Sequence, residues 1–251
     1  MRWAFTVLLL ALFGAPAAAQ DLTIALSTEE VRITSNFTGT ELTLFGVVAD
    51  DPDPPEDGYD IAITLRGPSQ NVAVRRKDRV AGVWINRASK TVLAMPSFYA
   101  LRTSVPLDEI GDVTLLRRNF LGAANLGFVY RDSLMINDPD GEEFRQAFLR
   151  LKTEGGLYSE AVTVDFLGEQ VFRATIALPA NTPVGTYRAE VRVFSDGALV
   201  ALDREEMTVA RSGGERLFFE ASRTQPVLYG LASVALALFV GWFGGVVFRR
   251  D

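Results

Sequence analysis

The 251-residue chain contains no cysteine and no histidine. Zinc sites built from Cys or His, Ser-His-Asp and Cys-His nucleophile systems, and haem held by His or Cys therefore lack their atoms. Thiol redox chemistry, disulfide staples and an imidazole pH switch are excluded as well. A basic excess is missing too: the net charge is −6 and the isoelectric point is near 4.9, which argues against a nucleic-acid partner. Lysine is scarce, 3 residues against 22 arginines, as in a GC-rich bacterial genome. What remains is 48% hydrophobic and 22% charged, enough apolar material for a real core.

The apolar residues are concentrated first at the two ends. After Met1-Arg2 comes an apolar run from Trp3 to Phe13, then Gly14, Pro16 and Ala17-Ala18-Ala19 before Gln20. A charged start, a short apolar stretch and an A-x-A site describe a secretory signal peptide. The alternative, a membrane anchor, is disfavoured because 11 residues are too short for a hydrocarbon layer of about 30 Å. Near the other end, Val227 to Phe248 is 22 residues without a charge, followed by Arg249-Arg250-Asp251. That length spans a bilayer, Tyr229 and Trp242 suit the headgroup regions, and the Arg pair predicts a cytoplasmic end. The expected topology is a single-pass protein of a bacterial inner membrane, with its N-terminal domain in the periplasm. Within the span, Ser233, Ala237, Gly241 and Gly245 recur every four residues and line one helical face, where small side chains let helices approach closely. That face either contacts another helix, of a multi-span transporter or of a second copy of the chain, or reflects only how common small residues are in membrane helices.

Between the ends lie 30 acidic and 22 basic residues. Short runs alternate apolar with polar residues between Gly, Pro, Asn and Asp, which predicts antiparallel strands. The candidates are 30–36, 41–48, 60–66, 71–77, 82–86, 171–178, 186–195 and 199–209. They form an early and a late group whose combined length matches one immunoglobulin-like β-sandwich of about 100 residues. The intervening stretch carries a helix from Pro139 to Glu154, with Asp138 as N-cap and Phe144, Phe148 and Leu151 on one face. A weaker helix after Pro106 is interrupted at Gly111. Asp196-Gly197 reads as a hairpin turn. Tyr187, following Pro183-Val184-Gly185-Thr186, reads as a tyrosine-corner residue whose ring packs and whose hydroxyl caps a nearby backbone group.

The expected fold is therefore mainly β: an immunoglobulin-like β-sandwich with a partly helical insertion, plus one C-terminal transmembrane helix. The chain divides into a signal peptide (1–19), a first part of the sandwich (20–87), the insertion (88–161) and a second part of the sandwich (162–210). A juxtamembrane linker (211–226), the transmembrane helix (227–248) and a cytoplasmic stub (249–251) complete it.

Asn36-Phe37-Thr38-Gly39-Thr40-Glu41-Leu42-Thr43-Leu44-Phe45-Gly46, Leu65-Arg66-Gly67-Pro68, Val74-Arg75-Arg76-Lys77 and Gly82-Val83-Trp84-Ile85-Asn86 resemble the alphaproteobacterial transmembrane protein family Alph_Pro_TM. The resemblance covers nearly the whole chain and is most specific in its first half. It implies a membrane-anchored periplasmic protein, often encoded beside sulfite-exporter-like permeases. It brings no catalytic residues.

Arg75, Arg76, Lys77 and Arg79 form the densest basic cluster. In a strand Arg75, Lys77 and Arg79 share one face and Arg76 the other. Such a set could hold an anion or an acidic partner, or could simply protect an edge strand from aggregation. The acidic loop Asp50-Asp51-Pro52-Asp53-Pro54-Pro55-Glu56-Asp57 lacks EF-hand spacing and reads as a solvated connection, and Asp138 to Glu143 as a charged helix start. Trp84 reads as a core residue, with a sugar platform as its alternative. Asn36-Phe37-Thr38 is a glycosylation sequon only in a eukaryotic secretory route. No cofactor, metal or catalytic residue is assigned. The leading expectation is a non-enzymatic accessory or interaction protein of a membrane transporter. The alternatives are a solute- or envelope-binding module using the basic strand face, and a carboxylate-based envelope hydrolase.

Overall fold

The structure, a computed structural model, describes residues 21–49, 55, 58–80, 82–136, 141–168, 170–212, 223 and 226–247. The expected signal peptide, most of the acidic loop, Asp138, Pro139 and the terminal Arg pair lie outside the described residues. In chain order the elements begin with strands β1 (Leu22–Leu26), β2 (Glu30–Ile33), β3 (Gly39–Val48), β4 (Asp60–Arg66), β5 (Ser69–Val80), β6 (Val83–Pro96) and β7 (Tyr99–Thr103). Short helices α1 (Leu107–Ile110) and α2 (Val113–Arg118), a 3-10 turn (Ala123–Asn125), β8 (Val129–Tyr130), β9 (Ser133–Ile136) and helix α3 (Glu142–Glu154) follow. Next come β10 (Tyr158–Val162), β11 (Val164–Phe166), β12 (Val171–Pro179), β13 (Gly185–Ser195), β14 (Ala198–Arg211) and helix α4 (Pro226–Val247). Strand accounts for 52% of the described residues, so the chain is mainly β as expected.

The strands form three sheets with orders β1-β3-β12-β11, β10-β7-β4-β13-β14-β2 and β5-β6-β8-β9. The burial patterns explain the layering. In β3 and β12 buried and exposed residues alternate, so the first sheet covers the core with one face only. In β4 and the middle of β13 residues are buried in unbroken runs, which places the second sheet between two layers. On its inner side, Ile61, Ile63, Leu65, Val191 and Val193 join Leu42, Leu44, Phe172, Ile176 and Leu178 of the first sheet in one apolar cluster. Register Gly46↔Phe172 sets the closest approach between β3 and β12, and a Cβ on Gly46 would sit 2.1 Å from the Phe172 ring. On its outer side Ala62, Tyr99, Leu101 and Phe194 join Val74, Val92, Phe128, Phe144 and Phe148 in a second cluster.

Asp196 and Gly197 have φ of 49° and 70°, the two left-handed residues that a type I′ hairpin requires. The Tyr187 hydroxyl donates to Pro183 O at 2.7 Å and its ring packs 5.7 Å from Phe98, as a corner residue should. Asp112 caps α2 through Leu115 N at 2.7 Å, immediately after the break at Gly111.

Four expectations are corrected. The stretch 88–161 is not wholly an insertion: it contains most of β6, and it supplies β7 and β10 to the middle sheet. Helix α3 begins at Glu142 with Gly141 as N-cap, whose carbonyl accepts a hydrogen bond from the Tyr130 hydroxyl at 2.6 Å. Leu151 is exposed, because in the last turn Lys152 turns inward instead, its Nζ 5.7 Å from the Phe148 ring and donating to Ser97 O. Trp84, expected in the core, is 65% exposed, because the β5–β6 ribbon runs on past the layer it packs against.

Candidate functional site

The β5–β6 ribbon pairs from Ser69↔Pro96 to Val80↔Val83, with bulges beside Asn71 and between Arg76 and Lys77. Its base is anchored by Val74, Val92 and Met95 in the second apolar cluster. Directly opposed residues of an antiparallel pair share a face. Pairs Arg79↔Trp84 and Lys77↔Asn86 therefore put Trp84 on the side of Arg79 and Lys77, with Arg75 two residues further along. Arg76 lies on the other side, where Nη1 meets Glu143 Oε2 at 2.7 Å at the start of α3. Arg79 Nε donates to Gly82 O at 3.4 Å, within the tip. Arg75 and Lys77 have no ion-pair partner among the described residues. Val83 is 63% exposed beside Trp84, and Ile85 is exposed as well. The basic cluster is thus split: one arginine pairs the ribbon with α3, while the others share the face of an uncovered aromatic.

Helix α4 contains no charged residue and no buried side chain among those described, and is long and apolar enough to cross a membrane. Ser233, Ala237, Gly241 and Gly245 all fall within it. The Ser233 hydroxyl donates to Tyr229 O at 2.8 Å, so its polar group is satisfied within the helix. A Cβ on Gly241 would meet nothing within 4 Å, leaving that face open to another helix.

A third cluster was not legible in the sequence. On the outer face of β13, Arg188, Glu190 and Arg192 alternate with the inward Ala189, Val191 and Val193, a pattern that reads as a solvated strand face. Glu190 and Arg192 are nonetheless buried. Arg192 Nη2 meets Glu190 Oε2 at 2.5 Å, Arg204 Nε meets Glu190 Oε1 at 3.0 Å, and Arg192 Nη1 donates to Thr64 Oγ1. Burial alone would raise the Glu190 carboxyl, but the charges of Arg192, Arg66 and Arg204 and the Arg192 hydrogen bond hold it below the usual carboxylate range. One pair along, Arg66 stands opposite Arg188 on one side and Tyr99 on the other. Burial pushes its guanidinium below the ordinary arginine value. Burial likewise pushes the Tyr99 phenol well above its ordinary value, and its hydroxyl stays a neutral donor to Phe120 O at 3.3 Å. Among the described residues no group of three or more carboxylates could hold a metal ion.

These features define a mainly β domain followed by one apolar helix of membrane-spanning length. The sequence profile of the family described as "Putative transmembrane protein (Alph_Pro_TM)" matches residues 21–250, and the chain belongs to that family. No curated protein matches it.

Proposed function

We propose that the protein is a membrane-anchored periplasmic accessory subunit that docks on a multi-span membrane transporter, a sulfite-exporter-like permease being the leading partner. The observation that carries this reading is the tip of the β5–β6 ribbon, where Trp84 is uncovered on the face that carries Arg79, Lys77 and Arg75, and Val83 and Ile85 are uncovered on the other. Exposed Trp with neighbouring Arg is the composition of interface hot spots. A signal peptide ahead of residue 20 and the Arg pair after α4 orient the domain outward in this reading. The Ser233 to Gly245 face supplies a second contact inside the bilayer. The domain itself is an immunoglobulin-like sandwich in this reading. Strands β1 and β2 are split between two sheets, β2 pairs in parallel with β14, and Tyr187 caps Pro183, all of which support that arrangement.

The role is a binding one, without a catalytic step. A solute site on the basic strand face is less well supported, because Arg75 and Lys77 project from a protruding ribbon rather than line a cavity. The test is a photo-crosslinking amino acid at position 86, on the same face of the ribbon as Trp84, in membranes, followed by recovery of the full-length protein in detergent. Crosslinks to a multi-span protein, lost in the double variant Arg75→Glu/Lys77→Glu, are expected. Recovery of this chain alone overturns the permease partner.

A further inference from the structure

At the end of the domain where β5 begins, a groove of about 540 Å³ opens between the middle sheet, the base of the ribbon and the segment after α2. Its polar lining is Arg66, Ser69, Thr186, Arg188, Glu190 and Glu206, and its apolar lining includes Phe120 and Leu126. The volume suits a small-molecule ligand. Both carboxylates of the lining are engaged by arginines other than Arg66. Glu206 is taken by Arg188, through Nε at 3.2 Å and Nη2 at 2.9 Å, and Glu190 is shared by Arg192 and Arg204. Among the described residues Arg66 has no carboxylate within 4.0 Å, so Glu190 acts on it only by charge at longer range, and its buried Nε has no hydrogen-bond partner.

Arg66 is also held in place. Its Nη2 donates to Phe120 O at 3.3 Å, and its Cζ lies 5.9 Å from the Tyr99 ring centroid and 6.0 Å from that of Phe120. The Phe120 backbone has φ of 52°, a left-handed conformation that a bulky residue rarely adopts. Ala94, another lining residue, also has φ of 52°, in the bulge where Asn71 Oδ1 accepts from Ala94 N at 3.0 Å. Two of the three non-glycine residues at positive φ among those described therefore border one groove. Strain of this kind gathers at ligand clamps, and bulges gather beside binding sites.

We propose that this groove binds a small organic acid, with the carboxylate on Arg66 and an apolar body against Phe120 and Leu126. The inference rests on Arg66 and its surroundings, and does not depend on the docking reading of the ribbon. A carboxylate supplies the acceptor that the Arg66 edge lacks, and an ionised partner is the strongest such acceptor. The apolar wall selects against a bare inorganic ion.

The test uses the full-length protein in detergent with 4-fluorobenzoate as probe, read by broadening of its fluorine NMR line. Broadening is expected for 4-fluorobenzoate and not for neutral 4-fluorobenzamide. Arg66→Gln should weaken it about tenfold or more, the value of a charged hydrogen bond, while Arg75→Gln on the ribbon leaves it unchanged. Equal broadening by the amide, or unchanged affinity in Arg66→Gln, overturns the site. Should Arg66→Gln fail to fold, the comparison of acid with amide on the natural chain still decides. Displacement of the probe by an equal concentration of inorganic sulfate would overturn the apolar-body half of the proposal.

Discussion

The two faces of the middle sheet are built on the same strands by different chemistry. The inner face of β4 and β13 presents Ile61, Ile63, Leu65, Ala189, Val191 and Val193 to another sheet, and the contact is apolar throughout. The outer face presents Ala62, Thr64 and Arg66 beside Arg188, Glu190 and Arg192, and is covered by helices, turns and a ribbon. Apolar packing tolerates a layer that matches only in volume, whereas buried charges demand particular partners at particular distances. The inner face is accordingly a purely apolar contact, and the outer face carries the buried charges, the groove, the strained residues and the ribbon root.

Removing a side chain from the inner core should have the largest effect. Phe172→Ala deletes a fully buried ring over Gly46 and should cost about 3–5 kcal/mol, measured by denaturant unfolding of the purified protein. On the outer face, Glu190→Leu leaves Arg192 buried without its carboxylate and should cost about 3–4 kcal/mol. Replacing Thr64, Glu190 and Arg192 together by apolar residues of similar volume should recover most of that loss, which would show that the pair specifies rather than stabilises. If the single and triple variants were equally destabilised, the contrast between the faces would fail.

A pH series sharpens the same contrast. The folded-state carboxyl of Glu190 is held below its unfolded value of about 4.3, so its contribution is present above that pH and lost as pH falls through the folded value. Thermal melts between pH 7 and pH 3 should therefore fall less steeply on the acid side in Glu190→Gln than in the natural chain. The smallest effect is expected at the ribbon tip, where Trp84→Ser should change stability by less than about 0.5 kcal/mol while abolishing crosslinking to a partner. A larger stability loss would mean that Trp84 packs within its own domain.

Legibility followed the physics of each element. β4 was read at its observed bounds, and β3, β12 and β13 near theirs, because large apolar residues recur in them on a two-residue period between turn signals. β7 and β10 were missed. They are short and pair with each other in parallel, and β7 is buried along its whole length, so Tyr99 to Thr103 shows no alternation. Tyr187 was legible because its hydrogen bond to Pro183 is local. Trp84 was misread because an aromatic in a strand is usually covered, and what covers it is decided by distant chain.

The sequence by itself determined the mainly β character, the apolar helix, the corner at Tyr187 and the exclusion of thiol and imidazole chemistry, since each depends on composition or on spacing within a few residues. The tertiary structure decided which charges are buried. Arg188, Glu190 and Arg192 have the pattern of a wet strand face, and only the packing of residues 105–130 and the β5–β6 ribbon over the middle sheet takes Glu190 and Arg192 out of water and leaves Arg66 short of an anion. Local periodicity reports which residues share a face, and desolvation depends on what long-range packing lays against that face.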